Sequence, residues 1–392
     1  MFAVALPLLS AALSVAFPGE GQSLPAVERT YVIGAVPAGA SAALTVNGAT
    51  TDVSRTGAFI AMVPVAPGTN TLHLAFGRLN LVRRFTVAEP PKAGTWKPFK
   101  PVLSEDDSRL GCVSAWRTCG TLFQNRVRPR PDDGDALYYL PPQFSLRGAE
   151  LQGTDWIAVW LEGKVCYLPP SSLVKTPDAP LPPADISVPD PASGFPAKPP
   201  YGVQPSAVRI LLDPGHGGPD TGAISPHGWC EKDINLLQAF AIRDALKKAG
   251  YQVSMTREDD SFPSLYSRPK FAYDEHVDAF ISVHHNATRA DSDPREVRHT
   301  TTYASNERGL ALAAAIQGRV ASALPDVTNA GAQIRSFAVC RNPAVPSCLI
   351  EVDFINLPEG EEASWNPDRR RKVADAVVRG VQDWMTPPTG SN

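Results

Sequence analysis

The chain has only seven histidines in 392 residues, yet six of them, His216, His227, His276, His284, His285 and His299, fall in one stretch. Imidazole is a common metal ligand and moves protons near neutral pH, so the clustering asks whether there is a metal. His216 stands in Asp213-Pro214-Gly215-His216-Gly217-Gly218, where flanking glycines let the backbone turn sharply and present the ring. His284 and His285 end the run Ser282-Val283-His284-His285-Asn286. Two carboxylates accompany them: Glu231 opens a stretch of helical spacing, and Glu351 lies inside the apolar run Leu349-Ile350-Glu351-Val352. Two imidazoles and one carboxylate make a catalytic zinc set that leaves a fourth position for water. Zinc lowers the pKa of such a water to about 7, and a second carboxylate can take its proton and deliver it to a leaving amine. Glu231, at a helix start beside the His216 loop, can ligate; Glu351, arriving from another strand, can stand opposite. Blander roles exist for two of the four. His216 could be a turn residue, and Glu231 a favourable acid in a first helical turn. Glu351 resists such a reading, because an unpaired buried carboxylate costs several kcal/mol or protonates.

These four residues need a scaffold that brings distant segments to one edge. From Val208 onward, strand-like and helix-like stretches alternate. Val208 to Asp213 is an apolar run typical of a buried strand. Glu231 to Ala249 has helical spacing and stops before Gly250. A strand over 251–256, a helix over 265–275, a strand over 279–284, an Ala-rich helix over 307–324, a strand over 347–354 and a closing amphipathic helix over 368–385 follow. That order predicts an α/β domain, a mostly parallel sheet with helices on both faces. Ligands of such folds bind at the carboxyl ends of the strands, which is where His216, His284 and Glu351 are expected.

Upstream the texture differs. Residues 27–90 read as an all-β module of short alternating runs between turn signals such as Asn47-Gly48. Val46-Asn47-Gly48, Gly57-Ala58-Phe59 and Pro67-Gly68-Thr69-Asn70 resemble the rhythm of small bacterial immunoglobulin-like sandwiches. Residues 108–175 form a second β-rich unit. Its Val127-Arg128-Pro129-Arg130, Leu140-Pro141-Pro142, Asp155-Trp156-Ile157-Ala158-Val159 and Lys164-Val165-Cys166-Tyr167-Leu168 resemble a bacterial SH3-like domain. Trp156, Trp160, Tyr138, Tyr139 and Tyr167 could line a wall-binding groove, although core packing is the simpler role for any one of them. The 39 prolines are about twice the usual share. Ten of them lie between Pro177 and Pro205, so residues 176–206 read as a semi-rigid linker that would hold the α/β domain at a distance from the β modules. Residues 1–16 read as a signal segment, apolar and ending in the small residues Ser14-Val15-Ala16 but without a basic start.

Composition narrows the function. A net charge of -3 argues against nucleic acid as a partner, and no apolar run reaches the ~20 residues of a membrane span. Six cysteines suit an oxidising compartment, with Cys112/Cys119 and Cys340/Cys348 as local pairs that could bridge. The lack of a CxxC motif argues against a structural cysteine-zinc site.

The α/β part also resembles a known family. Ile210-Leu211-Leu212-Asp213-Pro214-Gly215-His216-Gly217-Gly218 and Gly228-Trp229-Cys230-Glu231-Lys232-Asp233 are similar to the opening of the zinc-dependent N-acetylmuramoyl-L-alanine amidases of the amidase_3 type. Met255-Thr256-Arg257, Arg268, Phe280 to Ala287, and Pro346 to Glu351 with Phe354 and Asn356 follow in the family's order, over roughly 207–386. The resemblance implies one zinc ion held by His216, Glu231 and His284, with Glu351 as catalytic base. It implies hydrolysis of the bond between N-acetylmuramic acid and the L-alanine of the peptidoglycan stem peptide, by a periplasmic or secreted, wall-associated enzyme. His285 stands where the family often has a small residue and is a rival to His284, and His227 is a weaker rival ligand. Asp353 replaces a glycine usual near the catalytic glutamate, which bears on the local backbone and substrate fit. The short span between Asn286 and Glu307 leaves little room for the helical insertion that autoinhibits some members. Two alternatives remain open, another zinc hydrolase of stem peptides and a non-catalytic wall-binding protein. An activator or division-protein partner is also open.

Overall fold

The computed structural model describes residues 12–90 except 40, short stretches between 116 and 176, and 199–387 except 266, 336 and 343. The N-terminal part is a pair of sheets. Strands β1 (Ser14–Phe17), β3 (Arg29–Ala35) and β6 (Ala58–Pro64) form one, in the order β1-β3-β6. Strands β2 (Ser23–Leu24), β4 (Leu44–Val46), β5 (Ala49–Thr51), β7 (Gly68–Phe76) and β8 (Leu79–Val87) form the other, in the order β2-β8-β7-β4-β5. Successive side chains of a strand point to opposite faces, and β3 and β6 use both. Val32, Phe59 and Val63 turn inward and meet Leu44, Leu72, Leu74 and Phe85 in the core of the pair. Tyr31, Ile33 and Ile60 turn outward and are buried against Phe354 and Leu357 of the α/β part. This face corrects the expectation that the linker keeps the α/β domain away from the first β module. The residues Ser14-Val15-Ala16, read as the end of a signal segment, lie in β1 and pair with β3.

Among the described residues eight short strands follow: β9 (Trp116–Thr118), β10 (Arg126–Val127), β11 (Tyr138–Tyr139), β12 (Ser145–Leu146), β13 (Ala149–Glu150), β14 (Ile157–Leu161), β15 (Lys164–Leu168) and β16 (Leu173–Lys175). Val127, Leu140, Leu146, Ile157, Val159 and Leu168 share a small core. Tyr167 is buried, and Trp156 and Trp160 are partly buried beside it, which fits packing rather than a fully open aromatic groove. Most of the proline-rich stretch before residue 199, and the Cys112/Cys119 pair, lie outside the described residues.

The α/β part is one six-stranded sheet of β17 (Arg209–Pro214), β18 (Gln252–Met255), β19 (Ala279–Asn286), β20 (His299–Ala304), β21 (Thr328–Ile334) and β22 (Ser347–Phe354). The order is β18-β17-β19-β22-β20-β21. All neighbouring pairs are parallel except β20 with β22. Helices α1 (Glu231–Lys248), α4 (Glu307–Ala323) and α6 (Pro367–Trp384) cover one face, packing Ile242, Ile316 and Val377 on Leu212, Ile281 and Ile350. The short α2 (Ser267–Asp274) covers the other, over Leu211, Phe280 and Leu349. Two small helices, α3 (Pro294–Val297) and α5 (Pro358–Trp365), flank the carboxyl ends of β19 and β22. Helix α1 stops where Gly250 takes φ +96°, a left-handed conformation that glycine adopts without strain. Cys340 and Cys348 are both buried free thiols, so the bridge offered for that pair does not form. Among the described residues no helix is long and apolar enough to cross a membrane.

Candidate metal centre

The expected strand ends do converge. β17 delivers the His216 loop, β19 carries His284 near its carboxyl end, and α1 begins at Glu231 between them. One donor atom from each of the three lies within 4.8 Å of the others. His216 Nε2 is 3.1 Å from Glu231 Oε2, and His284 Nδ1 is 3.0 Å from Glu231 Oε1. The two imidazoles meet edge to face with centroids 4.8 Å apart. Both rings are partly exposed while Glu231 is buried, so the cluster has one open side.

Local backbone explains why three side chains fit here. His216 itself has φ +62°, the left-handed region that costs a non-glycine residue about 1–3 kcal/mol unless the surroundings impose it. They do. Arg268 donates to the His216 carbonyl (2.7 Å) and, with Arg257, to the Pro214 carbonyl; Arg257 also donates to that of Gly215 (2.8 Å). Buried Asp213 accepts from Arg268, Thr256 and Ser282 and locks the base of the loop. Gly215 and Gly222 are required for space. A Cβ on Gly215 would come within 2.2 Å of the His284 ring, and one on Gly222 within 2.6 Å of both Glu231 and His216.

Around the cluster, Glu231 is held by three further donors: the Ala223 amide (3.0 Å), the His285 amide (3.2 Å) and Asn235 Nδ2 (3.0 Å). Burial would raise its pKa, but His216 and His284 pull it well below the usual carboxylate range. His216 is the counterpart. Burial lowers its pKa, yet Glu231 and Asp220, whose Oδ2 lies 2.9 Å from Nδ1, lift it to about 9. Two imidazoles on one ionised carboxylate form a dense donor set for a divalent cation of borderline softness, and the observed arrangement fits one.

Glu351 occupies the register position beside His284 in the β19–β22 pairing. Its Oε2 is buried without a hydrogen-bond partner. Burial first, and then the charge of Glu231, push its pKa well up. A carboxyl oxygen left unsatisfied next to a cluster that could hold a cation is the kind of perturbed group that active sites accumulate.

The rivals go elsewhere. His285 is buried behind the cluster, with Nδ1 2.9 Å from Asn235 Oδ1, and burial lowers its pKa to about 4. His227 binds Glu361 (2.7 Å) and the Thr56 carbonyl (3.1 Å). His299 meets Phe354 edge to face, and His276 is exposed just beyond the end of α2. Asp353, where a glycine was expected, is a buried partner of Arg298 (2.7 Å) and Arg369 (3.0 Å). Sequence reasoning passed over Asn235 and Asp220. Asn235 had a usable signal, because it stands four residues after Glu231 on the same helix face.

Comparison with known proteins falls on this same region. Residues 210–383 match the Amidase_3 model, described as N-acetylmuramoyl-L-alanine amidase. A germination-specific N-acetylmuramoyl-L-alanine amidase of Bacillus subtilis is 31% identical over 202 residues, 48% of this chain and 84% of that protein. The uncharacterised protein YqiI of Bacillus subtilis is 32% identical over 175 residues, 45% of this chain and 84% of that one. Among solved structures, the amidase AmiC2 of Nostoc punctiforme aligns with 29% identity and a TM-score of 0.43, covering 45% of this chain and 97% of its own. The matched segment carries the whole cluster from His216 to Glu351, and this chain belongs to the Amidase_3 family of N-acetylmuramoyl-L-alanine amidases.

Proposed function

We propose that the chain is a peptidoglycan hydrolase that cleaves the amide between N-acetylmuramic acid and the L-alanine of the stem peptide. In this reading His216, Glu231 and His284 hold one zinc ion and Glu351 is the general base. The observation that carries it is the convergence of the three donors on one open-sided cluster, with the unsatisfied Glu351 carboxyl beside it. Zinc, when bound, polarises the scissile carbonyl and acidifies water.

The protein's own groups do the rest. The Arg257 and Arg268 hydrogen bonds keep His216 aimed into the cluster, and Asn235 with the Ala223 and His285 amides fixes both Glu231 oxygens. The negative charge of Glu231 helps raise the Glu351 pKa. Burial is the larger cause of that rise, and a ligand role for Glu231 would relieve its repulsion and so favour the ionised form of Glu351. Its carboxylate then takes the proton of the attacking water and returns it to the departing amine of L-alanine.

The β modules, taken as 27–90 and 108–175 with a linker at 176–206 and the amidase at 207–386, would place the enzyme on the wall. The apolar start, read as a leader over 1–16, would deliver it to the periplasm or outside, with Ser14-Val15-Ala16 kept in β1. The deciding measurement is mass spectrometry of digested sacculi with and without a chelator. Free stem peptides beginning in L-alanine, abolished by the chelator, are expected. Cleavage within the peptide, or turnover indifferent to chelation, would sink the reading. Glu351→Gln is expected to lower kcat by about 10²–10⁴-fold while zinc content, measured by atomic emission, stays at wild-type level.

A further inference from the structure

We propose that the N-terminal sandwich is a positioning part of the metal site, clamping the two loops that lead into and out of the ligands; this rests on the amidase reading for its functional consequence. The sandwich touches the α/β part at several places. Tyr31, Ile33 and Ile60 cover Phe354 and Leu357, just beyond Glu351 on β22. The Tyr31 hydroxyl lies near Thr288 and Asn356, and Asn356 Nδ2 donates to Thr288 Oγ1 (2.9 Å). Arg29 Nε donates to the Asp291 carbonyl (3.3 Å). Thr288 and Asp291 belong to the loop that follows His284. A further contact is the Thr56 carbonyl, 3.1 Å from His227 Nε2.

His227 links that contact to the other loop. Glu361 on α5 accepts from the His227 amide (2.9 Å) and Ser225 Oγ (2.5 Å) and pairs with the His227 ring (2.7 Å). Ser225 and His227 lie in the segment between Gly222 and Glu231, whose Ala223 amide holds Glu231 directly. Trp229 packs edge to face on Trp365 of α5. The sandwich thus reaches both the segment that presents Glu231 and the segment that leaves His284. Loops of this kind are ordinarily the least stable parts of a fold, and a metal site loosens when its supporting groups are not fixed.

The alternation in β6 makes the idea testable without unfolding the sandwich. Phe59 and Ala61 belong to the sandwich core, whereas Ile60 belongs to the shared face. In the full chain, Ile60→Lys breaks the docking, Tyr31→Phe removes only the hydroxyl contact, and Ile60→Val is the conservative control. The readouts are hydrogen exchange over 223–230 and 287–293, zinc affinity by chelator competition, and the kcat and KM of muropeptide cleavage. Ile60→Lys should speed exchange in both loops by about tenfold or more, weaken zinc, and raise KM more than it lowers kcat. Tyr31→Phe should do so only over 287–293, and Ile60→Val should restore wild-type values. Unchanged loop exchange and zinc affinity in Ile60→Lys overturn the proposal, and so does an effect confined to kcat. Should the Leu72 and Phe85 amides also lose protection in Ile60→Lys, Tyr31→Phe decides alone, and an unchanged 287–293 loop there overturns the proposal. Exchange and zinc affinity need no turnover, so a wild-type protein inactive on muropeptides would sink the amidase reading and leave this one standing.

Discussion

Burial beside Asn235 holds the His285 imidazole neutral, with its pKa pulled down to about 4 from the ordinary 6.5. Between those two values the unfolded chain binds a proton that the folded chain does not. The contribution of this residue is therefore complete above pH 6.5 and is lost as pH falls toward 4. Each pH unit between the folded and unfolded values is worth about 1.4 kcal/mol, so the loss reaches a few kcal/mol. Urea midpoints in the presence of a chelator should fall between pH 7 and 4.5, and His285→Gln should flatten that slope. An equal slope in wild type and variant would refute the assignment. The same residue shows how far single positions could be read. The motif spacing named His216, Glu231, His284 and Glu351, and the first three do meet. It favoured His284 over its rival His285, and the structure separates them: His284 meets Glu231, whereas His285 turns to Asn235. His227 was legible only as a histidine near Glu231. Its partners, Glu361 and Thr56, lie 134 and 171 residues away in sequence and leave no local trace.

At the scale of elements, apolar runs with clear stops were readable. β17, α1, β19 and β22 appear with ends within about two residues of expectation, the usual uncertainty of helix and strand boundaries. β20 was not, because its buried centre is Thr300-Thr301-Thr302 rather than aliphatic. These hydroxyls are satisfied by the Glu351 carbonyl, the Gly331 carbonyl and Gln317, partners that exist only in the folded sheet. The antiparallel placement of β20 against β22 was hidden for the same reason. Asp353 belongs here too, since it fastens the end of β22 to the start of β20 and to α6. It is 1% exposed, and Arg298 and Arg369 both bind it while also reaching Asp326. Removing one partner of a buried pair leaves an uncompensated charge, at a cost of about 3–5 kcal/mol. The two arginines keep some access to solvent and to Asp326, so Asp353→Ala should cost about 3 kcal/mol at the lower end of that range, read from urea unfolding. A loss below about 1 kcal/mol, the level of an exposed pair, would show that Asp326 and water suffice.

For the whole molecule, composition suggested beads on a stiff string, and the sandwich instead shares a buried face with the α/β part. Proline content describes how a segment bends, not which surfaces its neighbours present, and the second fact lay in the outward positions of β3 and β6. Tyr31, Ile33 and Ile60 looked like ordinary alternation until Phe354 and Leu357 were found against them. The consequence is energetic. Phe354 and Leu357 are each 2% exposed in the full chain, and burying such a side chain is worth about 1.5–3 kcal/mol. The exposed Arg55–Glu362 pair at the same border adds little. A chain cut to residues 199–387 should lose much of the apolar contribution, since both side chains would face water. For a domain of that size about 1 kcal/mol moves Tm by about 2–4 °C, so calorimetry should place the amidase transition at least about 5 °C below that of the full chain. It should also show the sandwich and amidase of the full chain melting in one transition rather than two, because each loses part of its core when the other unfolds. Two separated transitions, with the amidase one unmoved by the truncation, would mean that the shared face contributes nothing to stability.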